Sequence, residues 1–429
     1  MQVIERSVIL NSFMELVDLG ERIYSQYQEV VIRFVVEDIC DGKFHCSVNT
    51  IKGLPLFRYS NSAKFTPGSN LRSDGKFMVA LVIPTGLGAS VGGHAGDGGA
   101  TAKLMASVCD TLITHPNVVN ASDINEMTDN TMYVEGYSLT QYLLGNIGLQ
   151  EVRQNRVLVI VDGSADPIYV TAVINVVNAA RATYGLNCPE VVILKNPFTM
   201  KTGWSNGGRA VGVIDGMDEL FSVLHDREGT YDAVAITSLT QIPAEDRAHY
   251  YKNGGVNPWG GVEAMLTHTI SHCFKVPCAH APMMESQEVE LLDFGVVDPR
   301  SAAESVSITY LPCVLKGLNR APRIIEDSPD VSCLVIPRRC LGIPHFAAYQ
   351  RDIPIIAVDD FMEIDNVNCN DYVDAMVVGN YLEATGAVIA LREGISLETL
   401  RRPISKVKVS SYDELRNVSP VLANSQASA

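Results

Sequence analysis

Residues 79–99 read VALVIPTGLGASVGGHAGDGG, which is an apolar run followed by a loop with seven glycines. The apolar run predicts a strand, and the composition of residues 100–113 predicts a helix. Glycine adopts backbone conformations that other residues avoid, and it lets a ligand approach the main chain closely. A strand, a glycine-rich loop and a helix in this order also direct unpaired helix N–H groups towards one point, which favours an anion. We therefore expect this loop to hold the anionic group of a ligand.

The glycine spacing in this loop departs from the common nucleotide-binding motifs. Gly86 and Gly88 are followed by Gly92 and Gly93, so the third glycine comes later than in the G-x-G-x-x-G fingerprint. No Gly-Lys-Ser/Thr sequence follows, as a phosphate-binding P-loop would require. No particular cofactor is therefore predicted. The alternative to a binding site is a glycine-rich connection that packs against neighbouring backbone.

Short and almost wholly apolar runs recur along the chain and end at Pro84, Asp162, Lys195, Thr237, Pro337 and Asp359. Such strands are buried on both faces, which is typical of parallel sheets covered by helices. Residues 168–184 are long enough for a helical crossover between two of them. We predict an α/β fold with doubly wound, mostly parallel sheets in two lobes. The sequence LVIP occurs at both 81–84 and 334–337, which hints at two similar lobes.

The first 75 residues have a different pattern. They predict a helix around 10–28 and two strands, 30–36 and 46–51, joined by a turn at Asp41-Gly42. This segment is predicted to be a small α+β appendage. The predicted divisions are the appendage at 1–75, a glycine-loop lobe at 76–195, a second α/β lobe at 196–400 and a C-terminal tail at 401–429.

The composition limits the classes of partner. The chain has 429 residues, a net charge of −16, 47% hydrophobic residues and 19% charged residues, which describes a folded globular protein. Nucleic acid and anionic membranes bind basic surfaces, so neither is an expected partner. No run is long enough for a transmembrane helix, and the acidic Glu5 lies where a signal peptide would be basic. We expect a cytoplasmic location, a small-molecule ligand, a homo-oligomeric state and ten cysteines that are mostly buried free thiols.

Several polar residues follow predicted strands. Ser164 comes directly after an apolar run, and ligands of open α/β sheets bind beyond the carboxyl ends of strands. His115 closes the helix predicted after the glycine-rich loop, and a helix C-terminus favours a positively charged imidazole. Asp97 lies within the loop and could transfer a proton. Glu135 is expected to be a solvated residue at a sheet edge.

A second segment with polar and aromatic residues lies far along the chain. Asn257 and Trp259 stand among glycines, as expected for the wall or lid of a small-ligand site. A predicted helix then carries Glu263 and His268, and His280 follows it, so all three are candidates for acid–base chemistry. His268 and His272 share one helical face, as zinc ligands often do, but the H-E-x-x-H motif is absent. Zinc held by these two histidines and a cysteine is the alternative; no metal ligand is predicted.

The run VIPTGLGASVGGHAGD at 82–97 resembles the signature P-T-G-[IL]-G-A-x-x-G-G-x-A-G-D of a family known as a domain of unknown function. In that signature an aromatic residue would be expected at the position of His94. The resemblance covers roughly 77–400 and leaves the N-terminal segment outside. It continues through 111–118, 134–137, 254–264 and 314–322. The resemblance supports the choice of these segments and implies no particular reaction.

The sequence predicts an enzyme of small-molecule metabolism that binds a polar anionic substrate, such as an amino-acid or carboxylate derivative, and uses acid–base catalysis. The candidate catalytic residues are His268, Glu263, His280, His115 and Asp97. The candidate substrate-binding residues are Thr85, Gly86, Gly88, Gly92, Gly93, Asn117, Ser164, Asn257 and Trp259. The glycine-rich loop and the segment 257–263 are expected to meet. The alternatives are a non-catalytic metabolite-binding protein and a zinc-dependent hydrolase.

Overall fold

The computed structural model describes residues 1–55, 65, 73–94, 97–119, 127–283, 296–305, 310–359 and 367–411. The chain forms two compact units, residues 1–386 and residues 387–429, and the strands and cavities described below lie in the first. Within the described ranges, no helix has both the length and the apolar character needed to cross a membrane.

The strands are named in chain order. They are β1 Gln2–Leu10, β2 Val30–Cys40, β3 Lys43–Lys52, β4 Met78–Leu81, β5 Thr111–Thr114, β6 Thr131–Tyr133, β7 Gly148–Gln150, β8 Val157–Val161, β9 Val191–Ile193, β10 Thr199–Trp204, β11 Ala210–Asp215, β12 Ala233–Gln241, β13 Cys278–Met283, β14 Arg323–Ile325, β15 Cys333–Pro337, β16 Ile355–Val358 and β17 Met376–Val378.

The helices are named in the same way. They are α1 Leu16–Tyr27, α2 Gly99–Ala106, α3 Gly136–Leu143, α4 Pro167–Tyr184, α5 Asp218–Asp226, α6 Ala244–Asn253, α7 Gly260–Phe274, α8 Ala302–Ser305, α9 Leu311–Arg320, α10 Ile343–Gln350, α11 Tyr381–Arg392 and α12 Leu397–Leu400. Short 3-10 turns occur at Phe13–Glu15 and Cys369–Asp371.

A six-stranded sheet has the order β17-β16-β15-β4-β5-β6, and all of its neighbouring strands are parallel. The chain moves outwards from β4 to β6 on one side and from β15 to β17 on the other. The strand order therefore reverses between β4 and β15, and this reversal is the place where open parallel sheets bind ligands. The LVIP run at 334–337 lies within β15, and the run at 81–84 begins at the last residue of β4, Leu81, which pairs with Val335.

A nine-stranded sheet follows the order β2-β3-β1-β11-β10-β12-β8-β9, and β13 pairs with β12. Its first five strands, from β2 to β10 in this order, form antiparallel pairs with one another, and β12, β8, β9 and β13 join the sheet through parallel pairs. A third sheet contains only β7 and β14 among the described residues. The mixed α/β class predicted from the sequence is confirmed.

The N-terminal segment belongs to the larger sheet. The predicted hairpin is present as β2 and β3, and Asp41 and Gly42 occupy the turn with φ of 51° and 73°. Residues 2–10, for which the sequence predicted no strand, form β1, which pairs with β11 as well as with β3. The segment 1–75 is therefore joined to the rest of the fold by main-chain hydrogen bonds.

Each sheet draws strands from both of the predicted lobes. Residues 76–195 supply β4 to β6 to one sheet and β8 and β9 to the other, and residues 196–400 likewise contribute to both. The helix predicted at 168–184 is α4, which Asp166 caps and Pro167 starts. The prediction of a helix at 100–113 was wrong for its second half. The helix, α2, ends at Ala106, and residues 111–114, most of which are β-branched, form the buried strand β5 between β4 and β6. Of the predicted tail, residues 412–429 lie outside the described ranges.

Close packing of α7 against β11 gives one stability prediction. A Cβ atom at Gly261 would overlap the carbonyl oxygen of Ala210. We expect Gly261→Ala to lower the free energy of unfolding by about 2–3 kcal/mol, because helix and strand would have to separate. Gly386→Ala is the matched control, since it lies in a helix with open space around it and should be neutral or stabilising by up to about 1 kcal/mol. Urea denaturation measures both, and equal stability of the two variants would contradict the packing.

Candidate active site

A cavity lies where the ends of β4, β5 and β6 face helix α7 and the end of β13. It encloses about 1110 Å³ of empty space, including its open mouth. The six-stranded sheet contributes loop residues that follow its strands, and α7 contributes one face, with Glu263, Ala264, Thr267 and His268. The remaining wall comes from α8 and α9 and the segment before α7. Both sheets therefore build this cavity.

The first acid–base pair in the cavity is Glu135 with His268. Glu135 is 4% exposed and caps the start of α3 by accepting hydrogen bonds from the N–H groups of Tyr137 at 2.9 Å and Ser138 at 3.0 Å. His268 Nε2 lies 3.2 Å from Glu135 Oε1. This approach needs a glycine at position 136, because a Cβ there would lie 2.7 Å from the same nitrogen.

Burial sets the protonation of this pair. It raises the pKa of Glu135 to about 7, although the hydrogen bonds from Tyr137 and Ser138 act in the opposite direction. Burial, and to a smaller extent the positive charge of Arg33, lower the pKa of His268 to about 3. Near neutral pH the imidazole is therefore neutral, and the Glu135 carboxyl is present in both protonation states. A carboxyl in this condition can donate or accept a proton.

The second pair is Glu263 with His280. His280 Nδ1 lies 3.0 Å from Glu263 Oε1, and His280 Nε2 lies 2.8 Å from Ser238 Oγ. The order serine, histidine, carboxylate is that of serine hydrolases. Here Ser238 is fully buried and does not line the cavity, whereas Glu263 does. We call the contacts from Ser238 through His280 to Glu263 the relay. A ligand in the cavity can reach the Glu263 carboxylate, whereas Ser238 holds the imidazole of His280 from the buried side.

A third carboxylate, Glu304, completes the polar lining. Its Oε2 accepts a hydrogen bond of 2.7 Å from the Tyr250 hydroxyl, which also lies 2.6 Å from His94 Nδ1. The rings of His94 and Tyr250 are stacked, with centroids 4.9 Å apart. His94 thus packs as a flat ring at the position where an aromatic residue was expected. Asn257 Nδ2 donates to Glu304 Oε1 at 3.4 Å.

The structure brings together nine of the candidate residues that the sequence singled out. The glycine-rich loop and the segment 257–263 meet at this cavity, as the sequence led us to expect. Those that line it are Thr85, Gly93, His115, Asn117, Asn257, Trp259, Glu263, His268 and His280.

Two of these residues also hold the loop in place. Asn117 Nδ2 donates to the carbonyl oxygens of Ile83 at 2.8 Å and Pro84 at 3.3 Å. His115 Nε2 accepts a hydrogen bond of 3.1 Å from the N–H of Ile83. The expectation that His115 ends a helix as an imidazolium was wrong, because it follows strand β5 and burial lowers its pKa to about 3.

The other candidates, Gly86, Gly88, Gly92, Asp97 and Ser164, are not among the lining residues. Gly86 has φ of +83° and packs against backbone, since a Cβ there would lie 2.8 Å from the carbonyl oxygen of Ala210. Gly92 has φ of +78°, and its Cβ would lie 2.8 Å from a methyl of Ile83. Both glycines are thus explained by close packing of the loop.

Asp97 and Ser164 are engaged elsewhere. Asp97 Oδ2 forms an ion pair of 2.7 Å with Arg300, whose guanidinium also donates to the carbonyl oxygen of Gly92. Ser164 donates to Asp162 just beyond the end of β8. Asp162 also accepts a hydrogen bond from the N–H of Phe198. The Asp97–Arg300 pair thus holds the glycine-rich loop directly before the lining residues Gly93 and His94, whereas Ser164 and Asp162 brace a loop that does not line the cavity.

The histidines proposed as zinc ligands have other partners. His268 faces Glu135, and His272 Nδ1 lies 2.7 Å from the Tyr137 hydroxyl. In the ranges that the structure covers, no group of three or more His, Cys, Asp or Glu side chains is arranged to hold a metal ion. All ten cysteines are free thiols.

Comparison with known proteins places the chain in a family. Residues 78–401 match the model of a family described as "Protein of unknown function (DUF3326)". The chain belongs to this family. It is also 35% identical over 333 residues to an "Uncharacterized lipoprotein" of Synechococcus sp. (strain ATCC 27144 / PCC 6301 / SAUG 1402/1), a match that covers 73% of this chain and 90% of the relative. No solved structure matches the chain significantly.

The match to the DUF3326 family confirms the resemblance that supported the choice of segments. It spans every residue named above as lining the cavity, from Thr85 to Glu304. The family match does not cover β1, β2 and β3, which lie at one edge of the larger sheet.

Sequence reasoning missed two residues that contact the histidines of the site, Glu135 and Ser238. Glu135 was expected to be solvated, but it is buried because α7 covers the start of α3. Its side chain caps the start of α3, but Ser, Thr, Asp and Asn are the residues that a sequence pattern identifies as helix caps, so no local signal pointed to Glu135. Ser238 lies inside an apolar strand, and its contact with His280 depends on the pairing of β12 with β13.

Proposed function

We propose that this protein is an enzyme of small-molecule metabolism that acts by acid–base catalysis on a polar substrate with an anionic group, such as an amino-acid or carboxylate derivative. One observation carries the proposal: two glutamate–histidine pairs, Glu135 with His268 and Glu263 with His280, line the same cavity. Two carboxyl groups in different environments can divide the roles of acid and base.

The environments of the two carboxyl groups assign those roles. Glu135 is buried, and its pKa of about 7 keeps part of the carboxyl groups protonated near neutral pH, so it acts as the general acid. Glu263 has a side chain 24% exposed and is held by His280, so it acts as the general base. Both belong to the same part of the cavity: Thr267 lies one helical turn after Glu263, and its hydroxyl is 3.5 Å from Glu135 Oε1.

The lining also limits the substrate. Three glutamates and four histidines line the cavity, and its described lining residues include no lysine or arginine. A neutral polar group or an ammonium group of the substrate therefore fits this cavity better than a carboxylate of the substrate does, because three glutamates already line the cavity. Trp259 and Tyr251 provide a flat wall for the body of a small molecule.

We also propose three features besides the reaction. They are the cytoplasmic location, the homo-oligomeric state and the two doubly wound lobes that the sequence predicts. The strand-order reversal of the six-stranded sheet supports the doubly wound lobe. The Synechococcus relative is called a lipoprotein, and we do not extend that name to this chain.

A ligand screen tests the proposal. The purified chain is incubated with amino acids, their amides and esters, and hydroxy and oxo acids, and thermal shifts identify those that bind. We expect at least one binder to be converted to product, as seen by mass spectrometry. Recovery of every binder unchanged after long incubation would contradict catalysis and favour a metabolite-binding protein.

A further inference from the structure

Strand β2 contacts the six-stranded sheet, although it is an edge strand of the larger sheet. The N–H of Val36 donates to the carbonyl oxygen of Leu341 at 3.2 Å, and Val35 pairs with Gly342 in an isolated antiparallel bridge. Leu341 and Gly342 lie between β15 and α10. The N-terminal segment, which the family match does not cover, is therefore bonded directly to the loop that follows β15.

Arg33 is the side chain of β2 that reaches the glycine-rich loop. Its Nη2 donates to the carbonyl oxygen of Thr85 at 2.6 Å, and its Nη1 donates to Asn49 Oδ1 at 3.4 Å. Thr85 is the first residue of the loop that lines the candidate active site. Hydrogen bonds from a charged donor are shorter and stronger than neutral ones. The contact with Arg33 therefore fixes the start of the loop.

The residue after Thr85 also packs against Arg33. A Cβ at Gly86 would lie 3.2 Å from Arg33 Nη2 and 2.8 Å from the carbonyl oxygen of Ala210. The N–H of Ala210 in turn donates to the carbonyl oxygen of Gly86 at 3.1 Å. The first turn of the glycine-rich loop is thus held by β11 through the main chain and by β2 through the side chain of Arg33.

Arg33 and His268 line a common space. This second cavity encloses about 710 Å³ and shares four lining residues with the candidate active site, among them Thr85 and His268. Burial is the main cause of the low pKa of His268, the positive charge of Arg33 lowers that pKa as well, and a main-chain contact with Ile32 raises it. Two adjacent residues of β2 therefore act on the histidine of the first acid–base pair.

The guanidinium of Arg33 is charged near neutral pH. Burial, and to a smaller extent the charge of Arg209, lower its pKa only to about 10, and Glu5 and Glu37 act in the opposite direction. A positive charge beside an imidazole disfavours the imidazolium form. The proton that Glu135 shares with its histidine partner is therefore favoured on the carboxyl, which is the form that the proposed general acid needs.

We infer that Arg33 is a positioning residue for the proposed reaction: from β2 it holds the loop that begins at Thr85 against the acid–base pair of Glu135 and His268. The inference rests on the proposed function, because that function assigns proton transfer to this pair. Arg33 is not among the described residues that line the first cavity, so it acts through Thr85 and His268 and not on the substrate. The N-terminal segment therefore takes part in organising the site, although it lies outside the family match.

Hydrogen exchange tests the contact with the loop without any need for turnover. Mass spectrometry of the full chain follows the amide hydrogens of residues 83–94 in the native protein and in Arg33→Met. We expect these amides to exchange roughly tenfold faster in Arg33→Met, because the loop opens locally more often. Arg6→Met is the matched control and should leave this exchange unchanged. It removes an arginine of the same sheet that pairs with Glu29 at 2.6 Å and is not among the described lining residues of either cavity.

Kinetics with a compound that the ligand screen shows to be converted test the effect on the reaction. Arg33→Met should lower kcat roughly tenfold to hundredfold and change KM by less than about twofold, since misplaced groups affect the transition state more than the bound substrate. Arg33→Lys keeps the charge and a donor, and it should recover kcat to within about fivefold of the native chain. Arg6→Met should have the kcat of the native chain. If Arg33→Met does not fold, Arg33→Gln takes its place, because an amide keeps a neutral polar group at this position.

Two results would overturn the inference. One is native exchange of residues 83–94 together with native kcat in Arg33→Met. The other is an equal change in Arg33→Met and Arg6→Met, which would mean a general loss of stability.

The inference and the proposed function can fail separately. If the loop exchanges faster in Arg33→Met alone and no compound of the screen is converted, the contact with the loop stands and the proposed reaction fails. If turnover depends on Glu135 and Arg33→Met leaves kcat unchanged, the reaction stands and the role of Arg33 fails.

Discussion

Glu135→Gln is expected to abolish turnover and, at the same time, to make the protein more stable at alkaline pH. Glutamine has one acceptor oxygen and can keep only one of the two hydrogen bonds of the α3 cap, which Tyr137 and Ser138 donate to different oxygens of Glu135. It cannot deliver a proton, as the proposed reaction requires of the Glu135 carboxyl. Loss of a general acid reduces rates by roughly hundredfold or more. The turnover of whichever compound the ligand screen identifies is the measurement.

The stability effect follows from the raised pKa of Glu135, which burial moves from 4.5 to about 7. The folded chain keeps a proton that the unfolded chain releases above pH 4.5. The stability from this proton is complete below pH 4.5 and is lost as the pH rises through 7. Glutamine resembles the protonated form at every pH, so the variant should exceed the native chain by about 2–3 kcal/mol at pH 8.

Urea denaturation at pH 5 and pH 8 measures this difference. Glu151→Gln is the matched control, because Glu151 is exposed and should give no pH-dependent gain. A Glu135→Gln chain that is less stable than the native chain at pH 8 would mean that the carboxyl is needed there as an anionic helix cap. In that case Glu135 could not be the acid of the reaction.

Glu263→Gln is expected to abolish turnover with almost no change in stability. The side chain is 24% exposed, and the glutamine oxygen can still accept the hydrogen bond from His280 Nδ1. The melting temperature should stay within about 2 °C of the native value, since surface substitutions of this kind change stability by about 0.5 kcal/mol. Activity should fall by roughly hundredfold or more, because the amide cannot take up a proton.

Ser238→Ala is the companion variant for this relay. It leaves the lining of the cavity intact and removes the partner of His280 Nε2. We expect a loss of up to about tenfold in kcat with unchanged KM and a shifted pH profile, and recovery of activity in Ser238→Thr. Full activity of Glu263→Gln would transfer the role of base to another group and remove the relay from the mechanism.

The sequence was informative where the chemistry is local and uninformative where it depends on distant contacts. Apolar runs identified β4, β8, β12, β15 and β16, because strands buried on both faces have a local signature. The segment 257–263 was found because tryptophan and asparagine are unusual among glycines. By contrast, β1 pairs with β11, a contact about 200 residues away that no local pattern encodes.

The same division applies to the candidate site. Glu263, His268 and His280 were found as residue types that suit acid–base work, and the structure places them in one cavity. Their partners Glu135 and Ser238 act only because α7 covers one and β13 adjoins the other. The glycine-rich loop was expected to cradle an anion, but Gly86 and Gly92 are needed for close packing.

The pairing of β4 with β15 also has a consequence for biosynthesis. Met78 donates a hydrogen bond to Ser332, which the ribosome adds 254 residues later. Until then the buried apolar edge of β4 has no partner on that side, so the nascent chain carries an exposed strand throughout most of its translation. Such late pairing slows folding and exposes a chain to aggregation. We therefore expect synthesis in the cell to depend on chaperones, and fragments that stop before β15 to be insoluble.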